Sequence, residues 1–190
     1  MKFKIMINNS KFYFKPKPED IAKMYYDFFD VDIDEHELRA AILNGKTVRP
    51  GIFLRNNFSE DAWQGQQVFF IDVDNNNTIR TVKQNLEVCE RLNIPPTIVY
   101  RTYTANYKNQ KHRLVFVFSD LITDLKIRNS IQTHLTEIFA GDASTNSFEK
   151  MFFGGNAKYF FAEEQALDLE RVSKAINTYS AESQIENVIG

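Results

Sequence analysis

Apolar residues along this chain follow two rhythms. Val68-Phe69-Phe70-Ile71 is unbroken and stops at Asp72-Val73-Asp74. Leu114-Val115-Phe116-Val117-Phe118 is a second unbroken run, entered through Lys111, His112 and Arg113. Short apolar runs with polar ends predict strands. Thr97–Tyr103 (TIVYRTY) and the KYFF segment at 158–161 predict two more strands. At the N-terminus, MKFKIMINNSKFYFK predicts a pair of short strands around an Asn8-Asn9-Ser10 turn.

Elsewhere the period is helical. Ile21, Met24, Tyr25 and Phe28 predict a helix from about Glu19 to Phe29. Asp34 with Glu37 three residues on, and Gly45 as a stop, predict another over 34–44. Ile79, Val82, Leu86, Cys89 and Leu92 share one face of a helix over 78–93, which Pro95-Pro96 ends. Further helices are expected over Thr123–Phe139 and Glu164–Tyr179, while 46–66 reads as polar and irregular around Pro50, Gly51 and Trp63. Strands and helices interleave, so the fold class is α+β or α/β, with helices laid against a mixed β-sheet.

The chain has 190 residues, enough for one good core. Seventeen Phe and eight Tyr against one Trp imply a core rich in phenylalanine, with aromatic surface for stacking as the alternative. A net charge of −2 excludes a global positive field that draws nucleic acid, so any such contact needs a local basic patch. The single cysteine cannot form an internal disulfide, and its helical register makes it a core residue rather than a nucleophile. No apolar run reaches membrane-spanning length and the N-terminus lacks a signal-peptide core, so a cytoplasmic protein with no membrane partner is expected. Residues 1–179 read as one domain, with a subregion over 1–60; the polar residues 180–190 give no packing reason to be ordered.

Chemistry concentrates in three places. Residues i and i+2 of a strand share a face, so Asp72 and Asp74 converge on one volume while Val73 points away. Carboxylate oxygens suit hard divalent cations; capping a strand end and starting a turn is the competing reading. Arg101, Lys108, Lys111, His112 and Arg113 form the densest basic group, around a hairpin tip where phosphates could meet them or water could solvate them. Asp142, in Gly141-Asp142-Ala143-Ser144, is a turn residue or a third carboxylate for the same site. Gly45-Lys46-Thr47 is not a phosphate loop, because the first glycine is replaced by Ala40. Asp30, Asp32 and Asp34 have calcium-loop spacing without its glycine (Glu35) or final glutamate (Ala41). His36 and His134 lack ligand partners nearby in the sequence.

In order, FFIDVDN, YRTYTANYKNQKHRLVFVF and GDASTNSFEKMFFGG resemble the motifs of the archaeo-eukaryotic primase superfamily, over roughly residues 45–165. The likeness is to primase-polymerase domains of replication proteins from phages, plasmids and genomic islands. The resemblance implies a palm related to the RNA-recognition fold, here over 61–179, flanked by helices. It implies Asp72, Asp74 and Asp142 as metal carboxylates holding two Mg²⁺ or Mn²⁺ ions, and DNA primase or polymerase activity. Nucleotide contacts carried over by position are Thr104 and His112, with Arg113 or Lys111 as the basic residue and Lys150 in place of a family arginine. A tidy Ser-x-His is missing, which departs from the family pattern. Implied partners are a single-stranded DNA template, a nucleoside or deoxynucleoside triphosphate, and a helicase, as a separate protein or as a region beyond residue 180. A metal-dependent nuclease and a non-catalytic single-strand-binding module with stacking aromatics are the alternatives.

Overall fold

A computed structural model describes residues 1–76, 78–162 and 166–189, the side chains of 56, 156–162 and 186–189 aside. Its centre is a five-stranded sheet in the order β4-β5-β7-β6-β8, formed by Gly51–Phe53, Trp63–Val73, His112–Ile122, Ile98–Arg101 and Asn156–Ala162 respectively. A three-stranded sheet, β2-β1-β3, is built from Phe29–Ile33, Phe3–Lys11 and Lys46–Arg49. Neighbouring strands are antiparallel in both sheets. β5, helix α3 (Val82–Leu92) and β6 make a crossover with β7 inserted between its strands, a split βαβ unit.

The continuous apolar runs of β5 and β7 follow from burial on both faces. On one face Phe69, Ile71, Val73, Leu114 and Phe116 pack against α3, α4 (Leu125–Ile138) and α5 (Leu169–Ile189). On the other, Val68, Phe70, Val115 and Val117 meet Phe3, Ile5 and Ile7 of β1 and Leu38 and Ile42 of α2 (Glu35–Leu43). The phenylalanines are largely core, as their number implied, and Cys89 is buried with its thiol pKa pushed up by burial. No helix among the described residues is long and apolar enough to cross a membrane.

Several sequence expectations are corrected. Phe3–Lys11 is one strand, not a hairpin. Asn8 is not a turn residue: its side chain is fully buried and donates to the carbonyls of Met24 (3.3 Å) and Asp27 (2.5 Å). The helix placed over 19–29 is α1, Pro18–Met24, and Phe29 already belongs to β2. Residues 46–66 hold β3, β4 and the start of β5. The polar stretch from residue 180 continues α5 as far as Ile189, and Glu182 pairs with Arg91 of α3. Helices α2 and α3 start where their capping residues, Asp34 with Glu37 and Thr81 with Gln84, close reciprocal bonds.

Candidate active site

The end of β5 opens into a cleft of about 270 Å³ whose lining includes Asp72, Asp74 and Asp142. β5 supplies Asp72, and Asp74 follows its last residue, Val73, keeping the alternation that puts both carboxylates on the cleft. Asp142 arrives from the loop after α4, and the bond that brings it is between peptides: its amide donates to the carbonyl of Asp72 at 2.7 Å. Its carboxylate accepts from the Ser144 amide (2.9 Å) and hydroxyl (2.7 Å). Asn75 carries the chain out of β5 with φ 55 and accepts the Arg80 amide through its side chain, so it is a turn residue. Asn77 lies outside the described residues.

The basic motif divides by strand parity. Arg113 stands directly opposite Asp72 across the β5–β7 ladder, and His112 opposite Val73. Arg113 therefore shares the cleft face. Its Nε and Nη2 donate to the two Asp72 oxygens at 3.1 and 3.2 Å, while Nη1 donates to the Tyr100 hydroxyl (3.1 Å) and the Phe153 carbonyl (2.6 Å). Burial disfavours this cation, but the Asp72 carboxylate and the Tyr100 hydroxyl together outweigh that cost and raise its pKa. With four of its five N–H donors engaged, Arg113 orients Asp72 from the cleft wall.

His112, expected from the motif as a phosphate contact, lies opposite Val73 in the ladder, on the other face of the sheet from Arg113. Its side chain is fully buried on the helix face. There Asn85 Nδ2 of α3 donates to Nε2 at 3.0 Å, and Nδ1 donates to the Gln110 carbonyl at 2.7 Å. Burial lowers its pKa, so the ring is neutral at physiological pH. Lys111 sits at the rim in a 3.2 Å pair with Asp74. Thr104 and Lys150 do line the cleft, joined by Lys15, which sequence reasoning missed because it assigned that segment to a hairpin.

Two more missed residues hold the loop that carries Asp142 and Lys150. Arg128 of α4 donates to the carbonyls of Asn146 (2.5 Å) and Ser147 (3.4 Å) and to Gln66 Oε1 (2.9 Å). Arg49 of β3 donates to the Glu149 carbonyl, with its guanidinium 3.6 Å from the Phe58 ring centroid. Burial pulls both pKa values down to about 10, so both remain charged at neutral pH. Nothing in their local sequence marks them. The Gly-Gly of the aromatic segment is a close approach: a Cβ on Gly155 would lie 2.2 Å from the Arg101 carbonyl oxygen.

The donor set is all oxygen, which suits Mg²⁺ or Mn²⁺, and Mg²⁺ commonly takes only one or two carboxylates from protein and the rest from water and phosphate. Among the described residues no three acidic, histidine or cysteine side chains gather closely enough to hold an ion by themselves. Asp72 and Asp74 could hold one together with substrate oxygens, Asp72 by sharing an oxygen with Arg113.

An antiparallel palm with this topology and flanking helices matches the archaeo-eukaryotic primase fold. One solved structure with that fold is the AEP domain of the cyanophage S-2L primase-polymerase (PrimPol), similar with a TM-score of 0.53 at 12% sequence identity, over 91% of this chain and 88% of that one. No protein-family model and no curated protein matches the sequence.

Proposed function

We propose that this chain is a nucleotidyltransferase of the archaeo-eukaryotic primase superfamily, a DNA primase or polymerase acting on a single-stranded template in the replication of a mobile element. The observation that carries this reading is the shared cleft: three carboxylates from two distant segments, with Lys15, Lys150 and the Thr104 hydroxyl on its walls. The reaction joins the 3′-oxygen of a growing strand to the α-phosphorus of a nucleoside or deoxynucleoside triphosphate. The bond from that phosphorus to the bridging oxygen breaks, pyrophosphate leaves, and the hydroxyl proton passes to solvent.

Two divalent ions, Mg²⁺ or Mn²⁺, supply when bound the charge neutralisation and hydroxyl acidification that such a displacement needs. Asp74 and Asp72 would hold them, with Asp142 beside. Arg113 fixes the orientation of Asp72 in advance, so no reorganisation is needed as charge develops. Lys150 would neutralise the triphosphate from the cleft wall, and Lys111, paired with Asp74, stands close by. His112 acts as a buried strut for β7. A net charge of −2 leaves this domain a weak grip on DNA, which a helicase region or partner would supplement.

Primer extension on a single-stranded template tests the reading. Asp74→Ala should reduce incorporation by about 10²–10³ or more while the protein stays folded. Full incorporation by Asp74→Ala would sink the assignment. Cleavage of DNA without triphosphate would indicate a nuclease, and template binding without incorporation would indicate a non-catalytic module.

A further inference from the structure

Residues 11–17 read Lys-Phe-Tyr-Phe-Lys-Pro-Lys, three aromatics in a row between lysines. Their backbone is tied down at Phe12. Its amide donates to the Gly45 carbonyl at 2.8 Å, and its carbonyl accepts the Tyr103 hydroxyl. Gly45 has φ +73, and a Cβ there would lie 2.1 Å from the Phe12 oxygen, so only glycine permits this seat. Pro16 is buried on the other side. Between these anchors Tyr13 is 68% and Phe14 60% exposed. Phe14 meets the edge of Phe12 at 6.5 Å between ring centroids.

Tyr13 and Phe14 line a second hollow, of about 450 Å³, with Leu43 and Gly155. Its remaining lining residues, Lys15, Tyr103 and Thr104, also line the carboxylate cleft, so the two hollows share one wall. Tyr107, 91% exposed, stands at the tip of the hairpin whose base carries Tyr103 and Thr104. Two successive exposed rings on an anchored backbone, both lining one hollow, offer an apolar surface to a binding partner.

We propose that Tyr13 and Phe14 stack the bases of a single strand of nucleic acid passing beside the carboxylate cleft, with Lys15 on the strand's phosphate at the shared wall. The role of that strand as template rests on the nucleotidyl-transfer reading; the binding itself does not. A base offers a π-face to an aromatic ring whatever its identity, and each such stack contributes about 1–3 kcal/mol. Lys11, Lys15 and Lys17 flank the run of rings, complementing a backbone that carries one negative charge per base. The hollow is open, which suits a continuing strand better than the enclosed pocket a lone nucleotide requires.

The test is fluorescence anisotropy with an oligothymidine of about 12 nucleotides, in chelator and without triphosphate. The double change Tyr13→Ala with Phe14→Ala should weaken binding at least about tenfold, with an unchanged thermal melt because both rings are exposed. Tyr13→Phe with Phe14→Tyr, which keeps the rings, should bind within about twofold of the original, as should Asp74→Ala. Binding by the double-alanine variant equal to that of the original, or no binding by the original, overturns the proposal. Loss of affinity for a free deoxynucleoside triphosphate with oligothymidine binding intact overturns it too, assigning the rings to a lone nucleotide. A protein that binds through these rings yet incorporates nothing leaves the stacking site standing and removes nucleotidyl transfer. One that incorporates nucleotides and binds oligothymidine equally well with both alanines does the reverse.

Discussion

The tripeptide Asp-Val-Asp occurs twice in this chain, at 30–32 and at 72–74, each time shortly after a pair of phenylalanines. The first copy lies in β2, at the edge of the smaller sheet, where Asp30 and Asp32 are exposed and Asp32 pairs in register with Lys4. The second closes β5, a strand paired with β4 only near its start and with β7 along to Val73, with Asp72 buried against Arg113 and Asp74 at the mouth of a cleft. Identical residues at identical spacing have become solvated edge charges in one place and a candidate ion site in the other. The difference lies in what faces them. Water and a lysine meet the first pair; a fixed guanidinium, a third carboxylate and two free-standing walls meet the second.

The sharpest way to break this comparison is to delete carboxylates in each copy. Asp74→Ala should abolish incorporation, whereas Asp30→Ala with Asp32→Ala should leave it within about twofold. Equal losses from both copies, measured by primer extension, would mean that the cleft does not hold the chemistry. Stability separates them again. Asp72→Ala strands the buried Arg113 cation and should cost about 3–5 kcal/mol in urea unfolding, against about 0.5 kcal/mol or less for either edge aspartate.

Next in size is Gly155→Ala. The added methyl collides with the Arg101 carbonyl and displaces the segment whose Phe153 carbonyl holds Arg113, for about 1–3 kcal/mol. The smallest effect belongs to His112. Its lowered pKa means that the unfolded chain takes up a proton first as pH falls, near pH 6.5. Stability from the neutral ring is present above that value and is lost as pH falls toward the lowered folded pKa. The urea midpoint should decline in that window and flatten in His112→Gln, while the KM for triphosphate stays within about twofold. A tenfold rise in KM would put His112 back on the cleft.

Helices α2 and α3 and the central strands were legible because their signals are local. Asp34 closes its own capping box, Val82, Leu86, Cys89 and Leu92 repeat at helical spacing along α3, and β5 and β7 declare themselves by unbroken apolar runs. The two strand carboxylates were legible for the same reason, since alternation fixes their common face. Parity also separates His112 from Arg113, but the side on which the pair divides depends on the β5–β7 register, which no local residue encodes. Asn8 misled because asparagine in a turn and asparagine holding a distant carbonyl look alike in sequence. Arg49, Arg128 and Lys15 act across long separations, on carbonyls or beside carboxylates of other segments, and so leave no pattern to read.

The bond from the Asp142 amide to the Asp72 carbonyl has one more consequence. It joins backbone to backbone, so only proline at 142 would delete it, and the spacing of loop and strand survives the loss of either carboxylate. In isotope exchange, the Asp142 amide should keep its hydrogen on the timescale of the β5 interior, a loop position with the clock of a sheet.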